Sequence, residues 1–435
     1  MIRVIHDKKY NYKTIFNTKT GSYIRMSDEL YADYPHLIDI GVMGSCHHGR
    51  SGLCMKAGIR CYQNGLHTNE PNMTFEDYKR IIDEIKDRVF QVALGGRGDV
   101  DALPISDFER FLSYAAKNKV VPNFTTSGLG MTPEKAAICK AYCGAVAISM
   151  YSRIIDVPFV AMREKTKDEV QTPYNSIDDI PIVFTVNNMN DNCYVDEPHY
   201  IINGKDYKWE YLHHITESDL NGKYELYRVY EEKQEPNYTL NAVKMLLTAG
   251  VTTNIHYVLS NTTIDEAILR LKHNGFPQGI NAVIFLLHKP VGLGDESDIL
   301  RYDDPRLTEF FALIDQRHDF KIGFDSCTVP AILNFSKKIN MDSLDTCEAA
   351  RFSMYITSDM IALPCSFDNV NQKYAFDLKN GTIQEAWDSE PFNKFRESFN
   401  SCPNCPKRNK CLGGCPLEPS ITLCKEKEKP ETKES

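Results

Sequence analysis

Where its fourteen cysteines stand constrains this 435-residue chain more than any other feature. Three of them, Cys46, Cys54 and Cys61, share one glycine-punctuated stretch from Gly44 to Gly65, GSCHHGRSGLCMKAGIRCYQNG. Eight more lie between Cys327 and Cys424, and only Cys139, Cys143 and Cys193 fall elsewhere. The N-terminus, MIRVIHDKKYNYK, is interrupted by charges before an apolar core forms, so neither a signal nor a transit peptide is expected and the chain reads as cytoplasmic. Thiols in a reducing compartment seldom pair as disulfides, which leaves metal ligation as the usual reason for so many.

Three thiolates on a flexible loop can hold three irons of a 4Fe-4S cube and leave the fourth iron open to a substrate or cofactor that binds through its amine and carboxylate. The same segment would also serve as a zinc loop completed by His47 or His48, or carry three unrelated thiols, and the spacing leaves these readings open. From Cys402 the pattern is Cys-x2-Cys-x5-Cys-x3-Cys-x8-Cys through Cys405, Cys411, Cys415 and Cys424, with Cys327, Cys347 and Cys365 upstream. Gly413-Gly414 and several prolines let the backbone wrap closely around an inorganic core. Eight thiolates suffice for two fully ligated 4Fe-4S clusters; a pair of zinc ribbons is the competing reading.

Charge and hydropathy exclude two classes. A net charge of -9 without a basic stripe gives no footprint for a nucleic-acid backbone. No run of about 18 apolar residues occurs, so no membrane span is expected.

Residues 1–36 read as a hairpin-like lead-in with a turn at Lys19-Thr20-Gly21. Beyond it, strands expected at 37–42, 89–95, 120–126, 144–150, 251–258 and 280–287 alternate with helical patterns at 74–85, 106–118, 132–143, 238–249, 263–273 and 304–317. Near-continuous apolar strands separated by helices point to an α/β fold, a partial (β/α)6 TIM-like barrel over 37–320, with its ligand site at the carboxyl ends of the strands. The loop carrying Cys46, Cys54 and Cys61 leaves that end of the first strand. Residues 154–236 break the rhythm: NG turns at Asn203-Gly204 and Asn221-Gly222 between aromatic runs (207–211, 224–230) predict a β-rich insert, either a lid or a surface decoration. His213-His214 within it read as ordinary residues, Cys139 and Cys143 as packing residues on one helix face, and 425–435 as a disordered charged tail.

The C-terminal array, with Cys347 and Pro364-Cys365 ahead of it, resembles the SPASM domain of radical S-adenosylmethionine enzymes, here spanning 321–424. The core resembles the matching partial barrel, with Cys61-Tyr62 at the last cluster cysteine and Gly95-Gly96 after the second strand. Two departures stand out. The family spacing Cys-x3-Cys-x2-Cys is here x7 and x6, with Gly58 three residues before Cys61, and the Gly-Gly-Glu motif is Gly95-Gly96-Arg97-Gly98-Asp99, leaving Asp99 to replace the glutamate.

The resemblance implies three 4Fe-4S clusters and S-adenosylmethionine as cofactors. Cys46, Cys54 and Cys61 would hold the catalytic cluster. Tyr62, Gly95, Gly96, Asp99, Thr126, Ser127 and Ser149 would line the S-adenosylmethionine site; for the three hydroxyl residues, the bland alternative is a hydrogen-bonded strand end. Family wiring assigns Cys327, Cys347, Cys365 and Cys415 to one auxiliary cluster and Cys402, Cys405, Cys411 and Cys424 to the other. The expected reaction is oxidative modification of a ribosomally made peptide, by a crosslink or a thioether, through a 5′-deoxyadenosyl radical, with a flavodoxin- or ferredoxin-like electron donor. The likeness is strongest to maturases of Cys-rich repeat peptides. Formylglycine formation, as in sulfatase maturation, is the alternative, disfavoured because Ser366 rather than aspartate follows Cys365. A non-catalytic iron–sulfur or zinc protein is the alternative of another class.

Overall fold

A computed structural model describes residues 2–7, 12–18, 21, 23–26, 31–46, 60–65, 67–150, 159–164, 199–202, 205–211, 224–231, 238–272, 275–340, 344–400, 402 and 405–425. The first three strands, β1 (Ile2–Asp7), β2 (Tyr12–Asn17) and β3 (Tyr23–Met26), form an antiparallel sheet, one strand more than a hairpin. Gly21 turns the chain between β2 and β3 with φ +69°, its N–H reaching Asn17 O at 2.9 Å. Phe16 anchors this sheet, 5.0 Å from the Phe90 ring.

β4 (Leu37–Met43), β5 (Gln91–Gly96), β6 (Val121–Thr126) and β7 (Val146–Ser149) run parallel. Then the rhythm breaks as expected, into an antiparallel sheet of β8 (Phe159–Glu164), β9 (His199–Ile202), β10 (Lys205–Tyr211) and β11 (Tyr224–Glu231). β9 and β10 pair antiparallel from Ile202 opposite Lys205; the expected turns at Asn203-Gly204 and Asn221-Gly222 lie outside the described residues. Parallel order resumes with β12 (Thr253–Leu259), β13 (Ala282–Leu287) and β14 (Lys321–Phe324). All six expected barrel strands are present. The seventh, β14, is a four-residue KIGF segment too short and too polar to announce itself.

Each helix forms for a local reason. Thr74 Oγ1 accepts the N–H of Asp77 at 3.1 Å and opens Phe75–Ile85, whose Tyr78, Ile81, Ile82 and Ile85 are buried. Thr132 and Pro133 start Pro133–Tyr142, and Asp304 and Pro305 start Pro305–Ile314 in the same way. These faces cover one side of the sheet, where Ile38, Ile40, Val42, Val92, Leu94, Ile255 and Leu259 pack.

Contrary to the expectation of continuous apolar strands, the alternate positions are polar. Asp39, Gln91, Asn123, Thr125, Asn254 and His256 occupy the other face, linked by Asn123–Gln91 (3.1 Å), Asn281–Asn254 (2.8 Å) and Thr125–His256 (3.3 Å). The last contact skips over β7, so the sheet curves inward and encloses this polar lining. At its β4 edge the sheet continues through β15 (Ser353–Ile356), parallel to β4, and then β16 (Ile361–Leu363) and β17 (Phe376–Asp377), both antiparallel. The order β14-β13-β12-β7-β6-β5-β4-β15-β16-β17 makes it an open ten-stranded sheet rather than a closed barrel. No helix among the described residues is long and apolar enough to cross a membrane.

Candidate functional site

The chain leaves β4 at Met43 and passes through Gly44 and Ser45 to Cys46, whose N–H reaches Gly65 O at 3.3 Å. Cys54, with His47 and His48, lies outside the described residues. Cys61 re-enters the described chain, its carbonyl accepting from Asn64 N (3.3 Å) and Leu293 N (2.9 Å). The loop after β13 therefore grips the far end of the cysteine segment.

Gly95-Gly96 ends β5, and Arg97 N donates to Met43 O at 3.0 Å. A Cβ on Gly98 would stand 2.5 Å from Ser45 O and 3.2 Å from Cys46 Cα; one on Gly65 would stand 2.8 Å from Cys46 Cβ. Only glycine lets these two loops close on the Cys46 backbone. The Gly95–Asp99 motif thus packs directly on Ser45, Cys46 and Gly65 at the two ends of the cysteine segment.

Asp99 lies just beyond. Its carboxylate accepts from Ser127 N (2.8 Å) and Ser127 Oγ (2.6 Å), with Thr126 Oγ1 at 3.3 Å. Thr126 also donates to Asp101 at 2.8 Å and is fully buried. The structure brings Asp99, Thr126 and Ser127 together at the carboxyl ends of β5 and β6. Ser149 ends β7 opposite His256 of β12. Burial holds the His256 imidazole down at about 4, against the opposing pull of Asp325.

The C-terminal cysteines fall into two groups. Cys327 hydrogen-bonds Cys415, and Cys347 and Cys365 lie close enough to Cys327 to feel its charge. Burial pushes the Cys347 thiol up to about 12, Cys327 adding to it, and burial with Cys347 raises Cys365. Cys327 is raised first by its bond to Cys415 and then by burial. In the second group Cys411 is raised by burial, with Cys424 and Cys402 adding to it, and Arg408 N ties Cys405 to the same turn at 3.1 Å. Thr346 Oγ1 bonds Cys411 O at 3.1 Å and links the groups. Buried thiols that oppose one another's ionisation fit a polycationic core, which relieves that repulsion when it displaces their protons. Among the described residues no three His, Cys, Asp or Glu side chains are placed to hold a single metal ion. Cys139 is fully buried in Pro133–Tyr142 and Cys143 caps that helix, Cys143 N reaching Cys139 O at 2.8 Å.

The N-terminal segment docks on the C-terminal one. The rings of Tyr62 and Phe367 lie 4.5 Å apart, tilted by 45°. Gln63, buried, donates to Ser366 O (3.3 Å) and accepts from Asn369 Nδ2 (2.6 Å). Several site residues carry little sequence signal. Asp39 is a lone charge in an apolar run; burial and the Glu348 carboxylate raise it to about 7. Tyr355 faces Asp39 across β15 and β4 and lays its hydroxyl over Gly41. Lys289 pairs with Asp325 just before Cys327, a spacing visible only with hindsight.

Residues 347–409 match the family model of SPASM, an iron–sulfur cluster-binding domain. Over these residues the chain therefore matches a SPASM domain. Among solved structures, Streptococcus suis SuiB bound to S-adenosylmethionine is 14% identical with a TM-score of 0.57, covering 98% of each chain. SuiB bound to its precursor peptide SuiA gives 13% and 0.54, covering 98% of this chain and 100% of that one. Native anSMEcpe with bound AdoMet and the Cp18Cys peptide gives 14% and 0.50, covering 88% and 89%. At these identities the likeness establishes the fold. No curated protein sequence matches significantly.

Proposed function

We propose that this protein is a radical S-adenosylmethionine enzyme that oxidatively modifies a ribosomally made peptide, forming a crosslink or a thioether. The observation that carries the reading is the packing of the Gly95–Asp99 loop on the cysteine segment through Gly65 and Gly98, beside a polar-lined sheet and a SPASM domain. Cys46, Cys54 and Cys61 would hold the first cluster, Cys327, Cys347, Cys365 and Cys415 the second, and Cys402, Cys405, Cys411 and Cys424 the third. With S-adenosylmethionine bound, the first site supplies a 5′-deoxyadenosyl radical able to take hydrogen from an unactivated C–H bond.

The chain's own residues position and enclose. Gly96, at φ +107°, lets β5 close on β4, where a Cβ would stand 2.8 Å from Gly41 Cα and from Met43 O; Asp99, fixed by Ser127, would take the place of the family's glutamate at the cofactor, and Ser149 would approach the cofactor's amino-acid part or ribose. Tyr62 and Gln63 dock the segment against the SPASM turn at Ser366–Asp368. Solved relatives of this fold with bound peptides, SuiB with SuiA and anSMEcpe with Cp18Cys, support a peptide substrate.

Formylglycine formation is disfavoured by Asp368, the acid nearest Cys365. It is 2% exposed and accepts Lys373 N and Tyr374 N, both at 2.9 Å, so it braces a turn instead of facing a substrate. Anaerobically reconstituted protein, given dithionite and S-adenosylmethionine, is expected to release 5′-deoxyadenosine and to remove hydrogen mass from a short Cys-rich peptide encoded beside its gene. No release, together with zinc in place of iron, would leave a scaffold protein.

A further inference from the structure

The Lys289 side chain is 3% exposed and ion-paired to Asp325, itself two residues before Cys327. Its ammonium lies 4.6 Å over the ring of Phe367, two residues after Cys365, and that ring packs at a tilt against Tyr62, the neighbour of Cys61. Lys289 thus sits at the seam between the N-terminal cysteine segment and the group of Cys327, Cys347, Cys365 and Cys415. A lysine this buried is uncommon, and nothing in the sheet's packing calls for a cation here. Asp325 is otherwise occupied: it accepts from Thr328 N (3.2 Å), Thr328 Oγ1 (2.6 Å) and Leu287 N (3.2 Å), which spread its charge away from the thiols. Through these contacts the ammonium stands beside the two segments that carry Cys327 and Cys365.

We propose that Lys289 is a positioning residue that sets the reduction potential of the cluster held by Cys327, Cys347, Cys365 and Cys415, making that site easier to reduce. The inference rests on the functional reading above. Reduction adds negative charge to an already anionic cluster, and a buried cation beside two of its thiolates stabilises the reduced form in a low-dielectric seam. Asp325 is the counterweight: it holds the ammonium in place and masks part of its charge.

The test is an EPR-monitored redox titration of full-length, anaerobically reconstituted protein in which Cys46, Cys54, Cys61, Cys402 and Cys411 are replaced by Ala, leaving one competent site. Lys289→Met is expected to shift the midpoint to more negative potential, and Lys289→Arg to hold it near the parent. Asp325→Asn, which keeps shape and unmasks the ammonium, is expected to shift it the opposite way. A Lys–Asp pair that only braces the fold cannot produce shifts of opposite sign. Potentials that do not move in Lys289→Met and Asp325→Asn, or that move together, with the cluster intact, overturn the assignment. If Lys289→Met loses its iron, the direction of the Asp325→Asn shift decides. A parent that assembles no 4Fe-4S cluster at this site overturns the functional reading along with it.

Discussion

Single atoms decide whether the two loops of the site close. Gly98→Ala puts a methyl 2.5 Å from Ser45 O, so the Cys46 backbone must move. The variant is expected to lose one cluster's worth of iron while keeping the iron of the SPASM domain, as read by iron analysis and by EPR. Asp39 gives a pH signature. Its folded-state value of about 7 lies above the ordinary 3.8, so between these two pH values the unfolded chain sheds the proton first and stability falls as pH rises. Asp39→Asn removes that loss. In urea titrations the variant's advantage over the parent should be larger at pH 8 than at pH 5, and an advantage that shrinks with pH would show that the carboxyl is not held protonated.

At the scale of elements, the helix Ile383–Asp388 is held by a capping box: Thr382 Oγ1 accepts from Glu385 N (3.2 Å), and Glu385 returns to Thr382 N (2.7 Å). The helix buries Trp387, whose Nε1 donates to Ala32 O at 3.0 Å and ties it to the chain ahead of β4. Thr382→Ala should cost about 1 kcal/mol in chemical denaturation, with little change in cluster content. The elements of the barrel were legible because their periods are strong: Tyr78, Ile81, Ile82 and Ile85 at helical spacing behind Thr74, and apolar strands at regular intervals. β14 and β15 were not, being four residues each and defined by the neighbours they pair with. The polar inner face was missed for a related reason. Asp39 is a single polar residue in an apolar run, Asn254 and His256 alternate with buried residues in VTTNIHYV, and only curvature of the sheet gathers them. Thiols, by contrast, carry their meaning in sequence, since the C-terminal spacing is itself the signature of the SPASM family model. Spacing alone does not divide them into two groups; the family resemblance supplied that division, and in the fold Cys327 comes beside Cys415, far along the chain.

Across the whole molecule, one sheet runs from β14 through β4 into β15, β16 and β17, so the parallel core and the SPASM hairpin are parts of one hydrogen-bonded body. The cysteine segment emerges at that junction and is fastened to both sides, by Leu293 on one and by Ser366, Phe367 and Asn369 on the other. On the proposed function, cluster sites built into one hydrogen-bonded frame would suit chemistry in which a substrate is oxidised between them. The account stands on the N-terminal site having an iron free to take S-adenosylmethionine. The direct measurement is EPR of the reduced full-length protein with Cys327, Cys347, Cys402 and Cys411 replaced by Ala, recorded before and after S-adenosylmethionine is added. A changed spectrum is the predicted result; an intact cluster whose signal ignores the cofactor would contradict it.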